Sequence, residues 1–223
     1  MIIRKFTLTM ALFAVSLTSQ VEAGVFDFSF TGPGVSGSVV LTYGAATDAK
    51  YSQAYEVTGI SGSFTDTNNG LNIVNAAIGS LVAITHDTPE VTNLLAPNDF
   101  SRFAVAANLP VDNGGFLTYD NLYYPAGSPQ TASDYPASGG FLDIYGLMFD
   151  IGGGKVVNFW SNGISGGSAA DYGVAVANTL TAFDYVSGGV SVVPEPNILF
   201  LLGNGLLALV LKQRYSHIKS RIN

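Results

Sequence analysis

Cysteine is absent from this sequence. A chain without thiols builds no disulfide, no thiolate nucleophile, no zinc finger and no iron–sulfur site. Any exported domain it encodes is held by its core alone. Positive charge is almost as scarce. Between Gly24 and Val192 the only basic residues are Lys50, Arg102 and Lys155, against fourteen acidic side chains, a net of −11. Nucleic acid and anionic lipid surfaces both require basic patches, so neither is an expected partner of this stretch. The stretch holds a single histidine, His86, beside Asp87. No G-x-S-x-G elbow accompanies it to support a Ser–His–Asp site. No segment of ten or more residues between the two chain ends has a helical apolar period.

What the stretch does contain is strand signal. Val25 to Phe30 alternates, with Phe26, Phe28 and Phe30 on one face and Asp27 and Ser29 on the other. Thr31-Gly32-Pro33-Gly34 is a turn, and Gly37 to Tyr43 is the returning strand. Tyr55 to Thr65 is a third strand, followed by the tight-turn signal Asn68-Asn69-Gly70 and a fourth strand from Leu71 to Thr85, broken at Gly79. Arg102–Ala107 and Gly115–Tyr124 are further strands. The clearest hairpin runs from Phe141–Ile151 through Gly152-Gly153-Gly154 to Lys155–Trp160. Tyr172–Ala177 and Thr179–Val186 close the domain. His86–Ser101 and Pro125–Gly140 are long loops, the kind that often carry function. About nine strands with short turns predict an all-β fold, an antiparallel β-sandwich or jelly roll. Gly34-Val35-Ser36-Gly37-Ser38 recurs as Gly59-Ile60-Ser61-Gly62-Ser63 and, more weakly, as Gly163-Ile164-Ser165-Gly166. The irregular spacing marks equivalent turns or bulges rather than a solenoid.

Three kinds of chemistry are open to such a domain. Asp143 and Asp150 on one predicted hairpin, or Glu56 with Glu90, could form the carboxylate pair of a carbohydrate-active enzyme. Loop oxygens at Asp66-Thr67-Asn68-Asn69, Asn98-Asp99, Asp112-Asn113 and Asp120-Asn121 could hold calcium in an adhesion or carbohydrate-binding module. The same Asx residues also suit turns for local reasons, and no EF-hand pattern is present. Tyr119, Tyr123, Tyr124, Tyr135 and Trp160 could offer sugar-stacking faces, but Trp160 and at least half of the tyrosines are expected in the core. No catalytic residue, cofactor or metal ligand set follows, and the domain is read as non-enzymatic.

The chain ends are more specific. Arg4 and Lys5 precede a mostly apolar run, Phe6 to Leu17, and Val21-Glu22-Ala23 has the small or medium residues a signal peptidase inspects. Cleavage is expected between Ala23 and Gly24. At the other end, Val193-Pro194-Glu195-Pro196 should form an exposed, extended segment, because two prolines fix φ and remove two donors. An apolar run, Ile198 to Leu211, follows. Its fourteen residues reach about 21 Å as a helix, so Asn197 and a snorkelling Lys212 help it span a hydrocarbon layer of roughly 30 Å. Lys212, Arg214, Lys219 and Arg221 lie beyond the run and place the C-terminus in the cytoplasm, with the main domain outside.

This order of motif, leucine-rich run with Leu201, Leu202, Gly203, Gly205, Leu206 and Leu207, and basic end resembles the PEP-CTERM sorting signal of Gram-negative bacteria. It departs from the family pattern in its dispersed basic residues and in Asn204 between the glycines. Phe28-Ser29-Phe30-Thr31-Gly32 is similar to an opening common in such proteins. The resemblance implies recognition by a membrane-embedded exosortase after signal peptidase has acted. It also implies an inner-membrane intermediate, cleavage near the motif, and a final place at the cell surface or in an extracellular matrix beside exopolysaccharide and biofilm. The expected division is a signal peptide at 1–23, an extracytoplasmic β-domain at 24–192 and a sorting signal at 193–223. Within that signal, 193–196 is the motif, 197–212 the membrane helix and 212–223 the basic tail.

Overall fold

The computed structural model describes residues 23–84, 104–109, 115–130, 137–178 and 182–195, with backbone alone for 104–109 and 115–117. The apolar N-terminal run, the His86 loop, Glu90, Tyr135, the Asn98 and Asp112 sites, and everything from Pro196 onward lie outside the described residues.

Apart from one 3-10 turn, the secondary structure of the described residues is all β and antiparallel. Strands β1 (Gly24–Gly32) and β2 (Val35–Thr47) form the first hairpin across Pro33–Gly34, in register from Gly24 opposite Tyr43 to Gly32 opposite Val35. Alternation in β1 buries Phe28 and Phe30 and leaves Asp27 in solvent, as the period-2 pleat requires. β3 (Tyr55–Asp66) lies beside β2, and β4 (Ile73–Ala77) returns beside β3 through a 3-10 turn at Asn68–Gly70. The hairpin β5 (Ala104–Leu109) and β6 (Gly115–Tyr119) forms a second, two-stranded sheet, and β7 (Leu122–Tyr123) pairs with the start of β3. β8 (Leu147–Asp150), β9 (Val156–Gly163), β10 (Asp171–Ala177) and β11 (Ala182–Pro194) complete a sheet of order β4-β3-β2-β1-β11-β10-β9-β8.

β11 is the strand that makes this one sheet. Its first part pairs with β10 and its last residues, Ser191 to Pro194, pair with β1. Between them the register slips, and an outward bulge at Ser187–Gly189 lets the strand change partner. The bulge is held by side chains. Asp171 Oδ1 accepts from the Gly189 N–H at 2.7 Å, and the Asn162 amide donates to Asp171 Oδ2 at 3.0 Å and to the Ser187 carbonyl at 2.7 Å. The far edges of the sheet also meet. Gly79 N–H donates to Asp150 O, Asp150 N–H to Ser80 O, and Val82 N–H to Met148 O, all within 2.9 Å. The break expected at Gly79 is therefore where the chain leaves β4 and crosses to β8.

The curl encloses a core of Phe28, Phe30, Val39, Leu41, Phe64, Leu147, Phe149, Val157, Phe159, Val174 and Val176, all buried. β9 and β10 are buried on both faces. Their outward residues Trp160, Ala175 and Ala177 pack with Tyr119, Met148 and Ala182 in a second cluster, and the β5–β6 hairpin lies against β11 and β9.

Two expectations change. Phe141–Ile151 is not one strand, since only Leu147–Asp150 pairs. Asp143 is buried, and its Oδ1 accepts from the N–H groups of Tyr145 and Gly146, which folds the preceding residues into a turn. The last strand does not stop at Val186 but runs to Pro194. By contrast, the small repeat has a clear structural meaning. Its first two copies lie on the neighbouring strands β2 and β3 and meet only at their last residues, Ser38 opposite Ser63, with Gly62 opposite Val39. Gly62 has φ +136°, and a Cβ there would strike the Ser38 carbonyl oxygen. Gly62→Ala is expected to destabilise the fold by about 2 kcal/mol or more, read as a lower urea midpoint at unchanged slope.

Candidate functional site

The acids and aromatics singled out by the sequence sort themselves by burial. Tyr119, Tyr123, Tyr124 and Trp160 are all core residues. Trp160 stacks on Tyr185 at 5.4 Å, and its indole N–H donates to Asn162 Oδ1 at 3.0 Å. Their rings are packed into the core rather than standing out on the surface. Asp143 is spent on its own turn and on the Tyr124 hydroxyl, which donates to Oδ2 at 2.9 Å. Asp150 Oδ1 accepts from the Gly152 N–H. Asp143 and Asp150 thus each serve local backbone.

Glu56 and Asp120 do share a cleft of about 510 Å³ with Asp48, Lys50, Thr58 and Asn121. Glu56 is exposed on its wall. Asp48 Oδ1 accepts from the N–H groups of Lys50 and Tyr51, and Asp120 Oδ1 from that of Leu122, as Asx residues do in turns. Asn121, at φ +51°, donates its amide to Val82 O and accepts from Met148 N–H, so it ties β7 to β8. Asp120-Asn121 therefore has the turn role.

The motif residues Val193, Pro194 and Glu195 are extended and exposed, as two closely spaced prolines predict. They are not free, however. Val193 lies opposite Ser29 and Pro194 opposite Phe28. Glu195 N–H donates to the Asp27 carbonyl at 2.8 Å, and the Ser29 hydroxyl donates to Glu195 Oε1 at 2.5 Å. Pro194 also borders an aromatic depression of about 380 Å³ with Phe26, Tyr123, Phe141 and Tyr172. Burial pushes the phenols of Tyr123 and Tyr172 up to about 12, so both stay neutral. Ala23 immediately precedes β1 and Gly24 begins it, and the antiparallel pairing sets the middle of that strand, Phe28 and Ser29, beside the motif. The other members of the tail, Pro196, Ile198, Leu201, Leu202, Gly203, Gly205, Leu206, Leu207, Leu211, Lys212, Arg214, Lys219 and Arg221, lie outside the described residues.

A further cluster escapes the sequence reading in its full form. Asp66 and Asp184 are both buried, and each carboxyl lies in the other's field. Asn68 donates its amide to Asp184 Oδ2 at 2.9 Å, Asn69 donates to Oδ1 at 2.7 Å, and Asp66 Oδ1 accepts from the Asn68 N–H at 2.8 Å. Asp66 Oδ2 has no hydrogen-bond partner. Loss of hydration, then the Asp184 carboxylate, hold Asp66 up at about 6, against the pull of the Asn68 N–H. Asp66, Asn68 and Asn69 are visible in the sequence as one Asx run. Asp184 is not, because only the fold brings it there.

No family model matches the chain, and no curated protein or solved structure matches it.

Proposed function

We propose that this protein is an exported, non-enzymatic surface or matrix protein of the PEP-CTERM type, associated with extracellular polysaccharide. The reading rests on one observation. Val193-Pro194-Glu195-Pro196 is followed directly by the apolar run Ile198–Leu211 and then by Lys212, Arg214, Lys219 and Arg221. Two features of the fold support it. Pro194 and Glu195 are exposed. β11 ends at Pro194, so a cut beyond it leaves every strand among the described residues in place. In this reading the curled sheet is a β-sandwich-like extracytoplasmic domain, with a signal helix before it and a membrane helix after it. Signal peptidase trims the first at Ala23–Gly24 and an exosortase acts at the second, from an inner-membrane intermediate.

The test is the intact mass of the protein from its native host, measured separately in membrane and extracellular fractions. The expected product starts at Gly24 and ends within Pro194–Pro196, with or without an adduct at the new C-terminus. A full-length tail recovered only from membranes would overturn the processing step and leave a single-pass membrane protein.

A further inference from the structure

We propose that Asp66 and Asp184 form the heart of a calcium site, completed by the side-chain oxygens of Asn68 and Asn69 and the carbonyl of Pro33.

Both acids sit where the pleat points inward. Asp66 is two residues beyond the buried Phe64 on β3, and Asp184 is two residues before the buried Val186 on β11. A strand that buries every second side chain buries these as well. Burying two carboxylates against each other is costly unless something positive lies between them. Among the described residues, no basic side chain hydrogen-bonds to the pair. The nearby Lys155 ammonium lies 5.8 Å from the centre of the Phe183 ring, and Phe183 points to solvent on the opposite face of β11 from Asp184. Asp66 Oδ2 is fully buried without a hydrogen-bond partner, so one oxygen of the pair remains to be satisfied.

The surroundings are hard oxygen. The Asn68 amide nitrogen is 2.9 Å from both Pro33 O and Asp184 Oδ2. The Asn69 amide nitrogen is 2.7 Å from Asp184 Oδ1 and 3.5 Å from Phe183 O. A half-turn of each amide exchanges its NH₂ for its oxygen and converts two donors into two ligands. With Asp66 Oδ2, both Asp184 oxygens and Pro33 O, the set reaches about six oxygens, the number calcium takes in irregular geometry. Magnesium demands a stricter octahedron and retains more water, and softer metals prefer nitrogen or sulfur, which this site lacks. Access is short, since Asn69 is exposed and Asn68 half-buried. Gly34, at φ +71°, makes the room, because a Cβ there would collide with the Asn68 side chain. The ion would bind the β1–β2 turn and the 3-10 turn to β11, the strand that carries the C-terminal motif.

The test is thermal unfolding of the full-length protein in detergent at neutral pH, with chelator, with calcium or with magnesium at about 5 mM, a level suited to extracellular calcium sites. Calcium is expected to raise Tm by about 5 °C or more over the chelated protein, and magnesium by much less. Asp66→Asn, which keeps the side-chain shape, should fold and lose the calcium response. Asn69→Ala, at an exposed position, should need about tenfold more calcium for the same shift, since it loses one ligand. A wild-type Tm that calcium leaves unchanged would overturn the proposal. So would a calcium response that survives in both Asp66→Asn and Asp184→Asn.

Discussion

Phe159→Ala is expected to cost about 4 kcal/mol of folding stability. Phe159 is fully buried on β9, between β8 and β10, and faces the core. Its ring stacks parallel to Tyr172 at 5.5 Å, with an interplanar angle of 3°, and meets Phe28 at 5.7 Å and Phe30 at 5.0 Å. The loss combines the transfer of the ring, the cavity left behind and the broken ring pairs. Close packing leaves little freedom to collapse, because β1 and β10 hold the cavity wall through their ladders. For a domain of this size, Tm should fall by about 10 °C. Val74→Ala, at an exposed position on β4, is the control and should stay within about 0.5 kcal/mol. Equal losses in the two variants would show that Phe159 is not central to the core.

In chelator, the wild-type protein should lose stability as pH rises from about 4 to about 7, whereas Asp66→Asn should not. Asp66 titrates at about 6 in the fold and at 3.8 when unfolded. Between those values the folded state binds more protons than the unfolded state, so the stability of the fold falls as pH rises. The contribution is fully present below about pH 4 and gone above the folded value. The gap between the two values caps its size at about 3 kcal/mol, and water reaching the site past the exposed Asn69 lowers it. The charges and dipoles facing Asp66 are Asp184 from β11 and the N–H of Asn68 from the 3-10 turn, and neither supplies a cation. In the variant, the new side-chain amide would donate to Asp184 at every pH and the backbone contact to Asn68 would remain. The check is urea unfolding of both proteins across the range. The difference curve isolates this one group from the remaining acids. A wild-type curve parallel to that of the variant would contradict the raised value.

Much of the fold is legible in the residue order. Phe26, Phe28 and Phe30 declare the inner face of β1, and the turn at Thr31–Gly34 declares the first hairpin. Asn68-Asn69-Gly70 marks the next turn, with Asn69 and Gly70 both at positive φ. Trp160 lies in the core, as its apolar bulk predicts. Phe141–Ile151 misleads because its aromatic and aliphatic residues fit a strand, while the competing local bonds of Asp143 depend on its burial. The end of β11 misleads for a related reason. Ser187-Gly188-Gly189 reads as a linker from composition, but Asp171 and Asn162 convert it into a bulge inside a paired strand.

The sequence alone determined the β class and most of the turns, and it alone carries the proposed sorting signal, because these rest on linear patterns. Alternation, turn residues and an apolar run followed by basic residues act on neighbouring positions. Tertiary structure decided everything that depends on distant partners. It set the motif against Asp27 and Ser29, closed the sheet between Gly79–Val82 and β8, and brought Asp184 to Asp66. The physical reason is that a carboxylate's role is set by what surrounds it. Among fourteen acids in this domain, only folding reveals which two share a buried place.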